Sequence, residues 1–273
     1  MSWNLQRKEE LDGDQLRAML ADHPAKAAQA IIGAAADNLV DAQALLGQIL
    51  LDGKGIERDP KLALVWFEIA ARNGHLMARN MLGRCLEHGW GCSADAAKAA
   101  GHYEMAAKAG LDWSLYNLAN LLATGRGVVR NQQRALQCYH RAAQMGHAKS
   151  MNLLGRYLED GQFCQQDLPA AYDWYRRSAE GGDFRGQFSH AAVLADHGKT
   201  DEALAWLQLA LENGNLNFLR VSRSILLSST DPRISALALD YHRRAAELGT
   251  DEDLSALLQL THDPAFRVDQ TSN

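Results

Sequence analysis

The most constraining feature of this sequence is a glycine period. Gly53, Gly89, Gly125 and Gly161 stand 36 residues apart, and so do Gly74, Gly110, Gly146 and Gly182. Gly47, Gly83 and Gly155 share the spacing, with Ala119 filling the gap. A fixed period of this length marks stacked supersecondary units that bury their apolar faces only against one another. The chain of 273 residues therefore reads as one array rather than as ordinary domains.

The units share one pattern. A first helix, such as 42–51, carries apolar residues at helical spacing. A glycine turn follows: GKGI, GWGC, GRGV, then GQFC. A second helix holds a bulky pair and then a small pair, as in Trp66-Phe67 with Ala70-Ala71 and Trp174-Tyr175 with Ser178-Ala179. It ends at a glycine, where a left-handed closing residue is expected. Repeats fall at about 40–75, 76–111, 112–147, 148–183, 184–215 and 216–250, giving an all-α array of about six helix-turn-helix units. The fifth lacks the glycine turn, and the sixth keeps only the second-helix signature ALDYHRRAAELG. Residues 1–39 read as a helical cap broken at His23-Pro24, and 251–273 as a closing helix with a flexible tail.

Several functional classes are disfavoured. A net charge of −5 gives no global basic field, so neither nucleic acid nor a membrane surface is an expected partner. No run of about 20 apolar residues could span a bilayer. The N-terminus lacks the apolar core of a secretory leader, and Cys85, Cys92, Cys138 and Cys164 show no paired framework, so a cytoplasmic location is expected. Cys85, His88 and Cys92 could seed a zinc site, but the register aligns Cys85 with Ile49 and Leu121, and Cys92 with Ile56 and Val128. Those are core slots, where cysteine acts as a small hydrophobe. The GKG, GWG and GRG turns lack the lysine-serine continuation of a phosphate loop. His75 and His147 are expected to close second helices and meet their last carbonyls. No catalytic residue, metal or cofactor is expected.

The remaining candidate is a surface. First-helix residues off the packing stripe form rows across the repeats. Gln48, Arg84, Asn120 and Arg156 make one; Asn80, Tyr116 and Asn152 belong to a second; Trp113 and Lys149 belong to a third, with Asn117 alongside. Core positions are not expected to hold arginine, asparagine and lysine, so these residues read as exposed and as a partner-binding groove. Trp, Tyr and Arg are the residues that dominate interface hot spots, and asparagine amides can bond an extended peptide backbone.

The stretches LGRCLEHGWGCSADAAKAAGHYEMAAKAG and LANLLATGRGVVRNQQRALQCYHRAAQMGH resemble Sel-one-like repeats, relatives of tetratricopeptide repeats with an extended glycine loop. The resemblance covers about 40–250 and departs at Phe163, where the second loop glycine is missing. It implies a right-handed α/α superhelical solenoid and a non-catalytic scaffold or adaptor, with an unidentified protein or peptide in the concave groove. Some secreted relatives are disulfide-rich and linked to β-lactam binding, which makes a hydrolase the alternative; this chain lacks their cysteine pairs. A third reading is a self-assembling structural protein, with a homodimer formed through the terminal repeats.

Overall fold

A computed structural model describes residues 13–262, and the side chains of 18–262. The expected frayed start and flexible tail lie outside those residues. The chain divides into two compact units. Unit 1 contains α1 (Gly13–Asp22), α2 (Pro24–Ala36), α3 (Val40–Asp52), α4 (Pro60–Arg72), α5 (Leu76–His88), α6 (Ala96–Lys108), α7 (Asp112–Thr124) and the first turn of α8 (Gln132–Gln144). Unit 2 contains the rest of α8, then α9 (Ala148–Asp160), α10 (Leu168–Glu180), α11 (Phe184–Asp196), α12 (Thr200–Asn213), α13 (Leu216–Leu227), α14 (Pro232–Leu248) and α15 (Asp251–His262). All regular structure among the described residues is helical. Within each unit, consecutive helices pack in pairs.

Local chemistry sets the helix ends. The second helices of repeats one to four start on a carboxylate or amide side chain that accepts from the first-turn backbone. Asp59 accepts from the Lys61 and Leu62 amides, Asp95 from Lys98, Asn131 from Arg134 and Asp167 from Ala170, all at 2.9–3.0 Å. The same residues anchor the glycine loop: the Asp59 amide donates to the Leu50 carbonyl at 2.9 Å and the Asp95 amide to Leu86 at 2.7 Å. First helices α5, α9 and α11 are capped from the residue before them. His75 Nδ1 accepts from the Ala78 amide at 2.9 Å, His147 Nδ1 from Ser150 at 3.3 Å, and Asp183 from Gly186 at 3.0 Å. The His75 and His147 amides also donate to the Ala70 and Ala142 carbonyls, both at 3.0 Å, so each histidine closes a second helix through its backbone, as expected, and begins the next first helix through its ring. Each sits between two helices, and the donors of the later helix lie within reach of its ring.

The small residues of the period have a definite partner. At Gly83 a Cβ would lie 2.6 Å from the ring of Tyr103, which is fully buried. Gly47 faces Phe67 and Gly155 faces Tyr175 in the same way. The second helix therefore lays its aromatic ring directly on the first-helix backbone of its own repeat. Burying such a ring contributes about 2 kcal/mol or more. The contact lies inside one repeat. The second loop glycine serves a different neighbour. Gly91 has φ +77°, and a Cβ there would lie 2.1 Å from the carbonyl oxygen of Pro60, at the start of α4. The loop of repeat two therefore rests on the second helix of repeat one.

Repeats five and six depart from this scheme. Only 197–199 join α11 to α12, and a hollow of about 430 Å3 opens beside them, lined by Asp196, Thr200, Asp231 and Ile234 among others. The last pair is tied by charge. Asp253 of α15 is 1% exposed and accepts from Arg220 Nη2 at 2.6 Å and Arg223 Nη1 at 3.2 Å, both on α13. His242 of α14 is 7% exposed, and neither ring nitrogen has a hydrogen-bond partner.

Candidate functional site

The first helices of unit 1 carry most of the candidate residues. On α3, Gln48 is half-buried and donates to Asp52 Oδ2 at 2.8 Å. On α5, Arg84 is half-buried; its guanidinium lies 5.1 Å from the centre of the Trp90 ring, which stacks on His88 at 4.8 Å. On α7, Trp113 is 39% exposed and meets Tyr116 edge to face at 6.4 Å, while Asn117 and Asn120 are half-buried. In unit 2, Arg156 is exposed and Lys149 half-buried.

Two expectations fail on exposure. Asn80 is 2% exposed and Asn152 is 3% exposed. Asn80 Oδ1 accepts from Ser114 Oγ and Asn117 Nδ2, both at 2.9 Å, so it ties α5 to α7. An amide is stable in a core when its hydrogen bonds are made there, and the assumption that asparagine marks the surface ignored that. Asn152 holds the same position in repeat four, but its Oδ1 has no hydrogen-bond partner. Gly186 stands where the Asn80 site has Ser114. Neither asparagine can present its side chain to a partner, and Asn117 spends one donor on Asn80. Replacing Asn80 with alanine should lower stability by about 1–3 kcal/mol, since Ser114 and Asn117 lose a buried acceptor. Urea denaturation checks this.

Sequence reasoning missed two features. Trp90 sits in the glycine loop, and the loop was read only for its glycines. Its ring supports Arg84 by a cation–π contact and so fixes the guanidinium. The other is Glu87, whose side chain is 8% exposed. It accepts from the Tyr103 hydroxyl at 2.6 Å and pairs with Arg126 from the loop after α7. The signal was present in the repeat register, since Tyr175 donates to Glu159 Oε2 at the same 2.6 Å.

The first helices of unit 1 offer amide and guanidinium donors beside aromatic rings. Burial, and then the charge of Arg84, lower the pKa of His88. Cys85 is fully enclosed; burial, then the neighbouring Cys92, push its thiol up to about 12, the reverse of what a nucleophile or metal ligand needs. The Cys92 thiol donates to the Cys85 carbonyl at 3.6 Å, as Cys164 does to Tyr157 at 3.2 Å. Among the described residues no group of three His, Cys, Asp or Glu side chains is placed to hold a metal ion. No described helix is long and apolar enough to cross a membrane.

The profile of the Sel1 repeat family matches residues 40–75, 76–111, 114–147, 148–183, 193–215 and 235–250, more than half of the chain. The chain is a Sel1 repeat protein. Solved structures agree on its fold. A Sel1 repeat protein from Oxalobacter formigenes is 25% identical over 89% of this chain and 99% of its own, with a TM-score of 0.70. The protein c5321, a protective antigen present in uropathogenic Escherichia coli strains and displaying an SLR fold, is 24% identical over 89% of this chain and 54% of its own, with a TM-score of 0.62. The immunity protein Pa5087 from Pseudomonas aeruginosa is 16% identical over 77% of this chain and 81% of its own, with a TM-score of 0.53. No curated protein matches the sequence. Sel1 repeat proteins are generally non-catalytic protein–protein interaction scaffolds, and this Sel1 repeat protein has their α/α repeat.

Proposed function

We propose that the chain is a non-catalytic scaffold or adaptor that holds an extended segment of a partner protein along its first helices. The observation that carries this reading is the side-chain mixture on α3, α5 and α7. Gln48, Arg84, Trp113, Tyr116 and Asn120 are exposed or half-buried there, and they combine aromatic area with donors suited to a peptide backbone or carboxylate. Within unit 2, Arg156 and Lys149 of α9 offer donors of the same kind. None of the four cysteines is in a disulfide, which supports a reducing, cytoplasmic setting. Among the described residues no clustered acid, base or nucleophile supports the hydrolase reading.

The test is partner capture from native lysate by a variant carrying Arg84→Ala, Trp113→Ala and Asn120→Ala. Capture should fall to background while the melting temperature stays within a few degrees, since these side chains are outside the core. Capture that survives the triple change would sink the reading.

A second reading, self-association through the last repeats, is supported by apolar side chains on α13 and α15. Val221 is 63% exposed, Ile225 52%, Leu254 47% and Leu258 49%. Light scattering should show a dimer that Val221→Glu with Leu254→Glu disrupts; a monomer in the wild type rejects it.

A further inference from the structure

Repeat two departs from its neighbours at three positions. The register puts His102 where the other second helices carry Trp66, Cys138 and Trp174, and Ala100 where they carry Leu64, Leu136 and Tyr172. It puts Arg79 where the other first helices carry Gln43, Leu115 and Met151, which are 1%, 3% and 6% exposed. Side-chain volume is lost on α6, and a cation is gained on α5.

A hollow of about 290 Å3 opens at this place, between α4, α5 and α6. Leu64, Leu82 and Leu86 form its apolar wall. Arg72, Arg79, Lys98 and His102 line it with one carboxylate, Glu68. Two of the cations have anionic partners: Arg72 meets Glu68 at 2.5 Å, and Lys98 meets Asp95 at 3.1 Å. Arg79 has none among the described residues. It donates through Nη2 to the Ala71 carbonyl at 2.6 Å, and its Nη1 lies 3.7 Å from Met105 Sδ. Neither acceptor is charged. Nδ1 of His102 is buried with no hydrogen-bond partner. Burial, then the Arg79 charge, lower the pKa of this ring, with Glu68 acting the other way, so the imidazole feels both groups.

We infer that this hollow binds a compact apolar carboxylate, with the acid on Arg79 and His102 and the hydrocarbon against Leu64, Leu82 and Leu86. A carboxylate supplies the anion that Arg79 lacks and an acceptor for an imidazole N–H. Glu68 is paired with Arg72, which offsets part of its repulsion. A fully polar anion would leave the leucine wall unused, and an uncharged apolar molecule would leave the guanidinium unmatched. The volume is at the lower end for ligand pockets, so the body must be short. A free short-chain acid and the last residue of a peptide chain share this chemistry.

The experiment is a calorimetric titration of the full chain with octanoate, 1-octanol, N-acetyl-alanyl-leucine and the amide of that dipeptide, alongside NMR of the His102 ring. Octanoate should bind and shift the His102 resonances, and 1-octanol should bind roughly tenfold more weakly or worse. Arg79→Met introduces the residue that repeat four already carries at this place, and should weaken octanoate about tenfold or more. His102→Trp, the residue of repeats one and four, should fill the hollow and abolish binding. Tighter binding of the dipeptide acid than of octanoate would identify a chain terminus as the ligand, and the reverse a free acid. Equal affinity for octanoate and 1-octanol, no binding of either acid, or an Arg79→Met protein that binds octanoate normally would overturn the site. The alcohol comparison uses the unmodified chain, so it decides the matter even if a variant fails to fold.

Discussion

Changing Gly91 to alanine is expected to cost roughly 3 kcal/mol or more of stability, although it adds a single methyl group. Two effects combine. The residue has φ +77°, where an L side chain is strained by about 1–2 kcal/mol. The new Cβ would also fall 2.1 Å from the Pro60 carbonyl oxygen, and that oxygen belongs to a helix start that cannot swing away like a side-chain tip. The loop must lift from α4, and its contacts there are lost. Gly146 separates the two effects. It has φ +96°, but a Cβ there meets nothing within 4 Å. Gly146→Val should therefore cost only the conformational part, about 1–2 kcal/mol, more because valine is branched. Urea denaturation of both variants gives the comparison. A Gly91→Ala protein as stable as Gly146→Val would show that the loop has no fixed seat.

The second large effect is a loss of stability in mild acid, centred on His242. Burial lowers this ring from its ordinary 6.5 to about 4; the charge of Arg223 acts the same way, and Asp253 opposes both. The folded chain thus keeps the ring neutral, while the unfolded chain takes up a proton below about 6.5. The stabilisation is complete above pH 6.5 and disappears as the pH falls toward 4. The full shift corresponds to about 3 kcal/mol, which partial solvent screening reduces to roughly 2 kcal/mol. Asp253 adds to the trend at lower pH. Hydrogen bonds from Arg220 hold its carboxyl well below the usual range, so its contribution is present above the ordinary carboxylate value and lost only on stronger acidification. Hydrogen exchange should show the amides of α14 and α15 losing protection between pH 6.5 and 4.5, ahead of the rest of unit 2. His242→Phe should flatten that dependence. An unchanged slope in this variant would place the acid sensitivity elsewhere.

The features legible in the sequence were those that backbone geometry forces. Gly53, Gly89, Gly125 and Gly161 end first helices in the left-handed conformation, and that requirement recurs at every turn with one solution. Cys85 was legible as core because aligned repeats act as internal controls for one another, whereas Cys92, read the same way, is only half-buried. The failures share a cause as well. Asn80 is buried because Ser114 and Asn117, more than thirty residues away, complete its hydrogen bonds, and a one-residue pattern carries no record of such partners. His75 and His147 do meet the last carbonyls of second helices, through their backbone amides, but their ring caps on the following helices were not foreseen, because a junction residue can serve both neighbours. Arg84 was read as an exposed groove residue, but it is half-buried and its guanidinium rests on Trp90, a loop residue whose direction no periodicity specifies. The hollow at His102 was visible in principle as a departure from the repeat register, where Trp66, Cys138 and Trp174 stand, but a hollow between three helices leaves no mark of its own in one sequence.

The seating of the Gly91 loop on α4 gives the array a direction of assembly. Gly55 stands against Pro24 and Gly127 against Ala96 in the same sense, each loop resting on a helix that precedes it in the chain. As the polypeptide leaves the ribosome, each of these three loops therefore meets a platform synthesised earlier. Shortening such a chain from its end leaves the surviving loops supported, whereas deleting the first pair removes the platform from the next, so the two kinds of truncation should differ sharply in how much of the remainder folds.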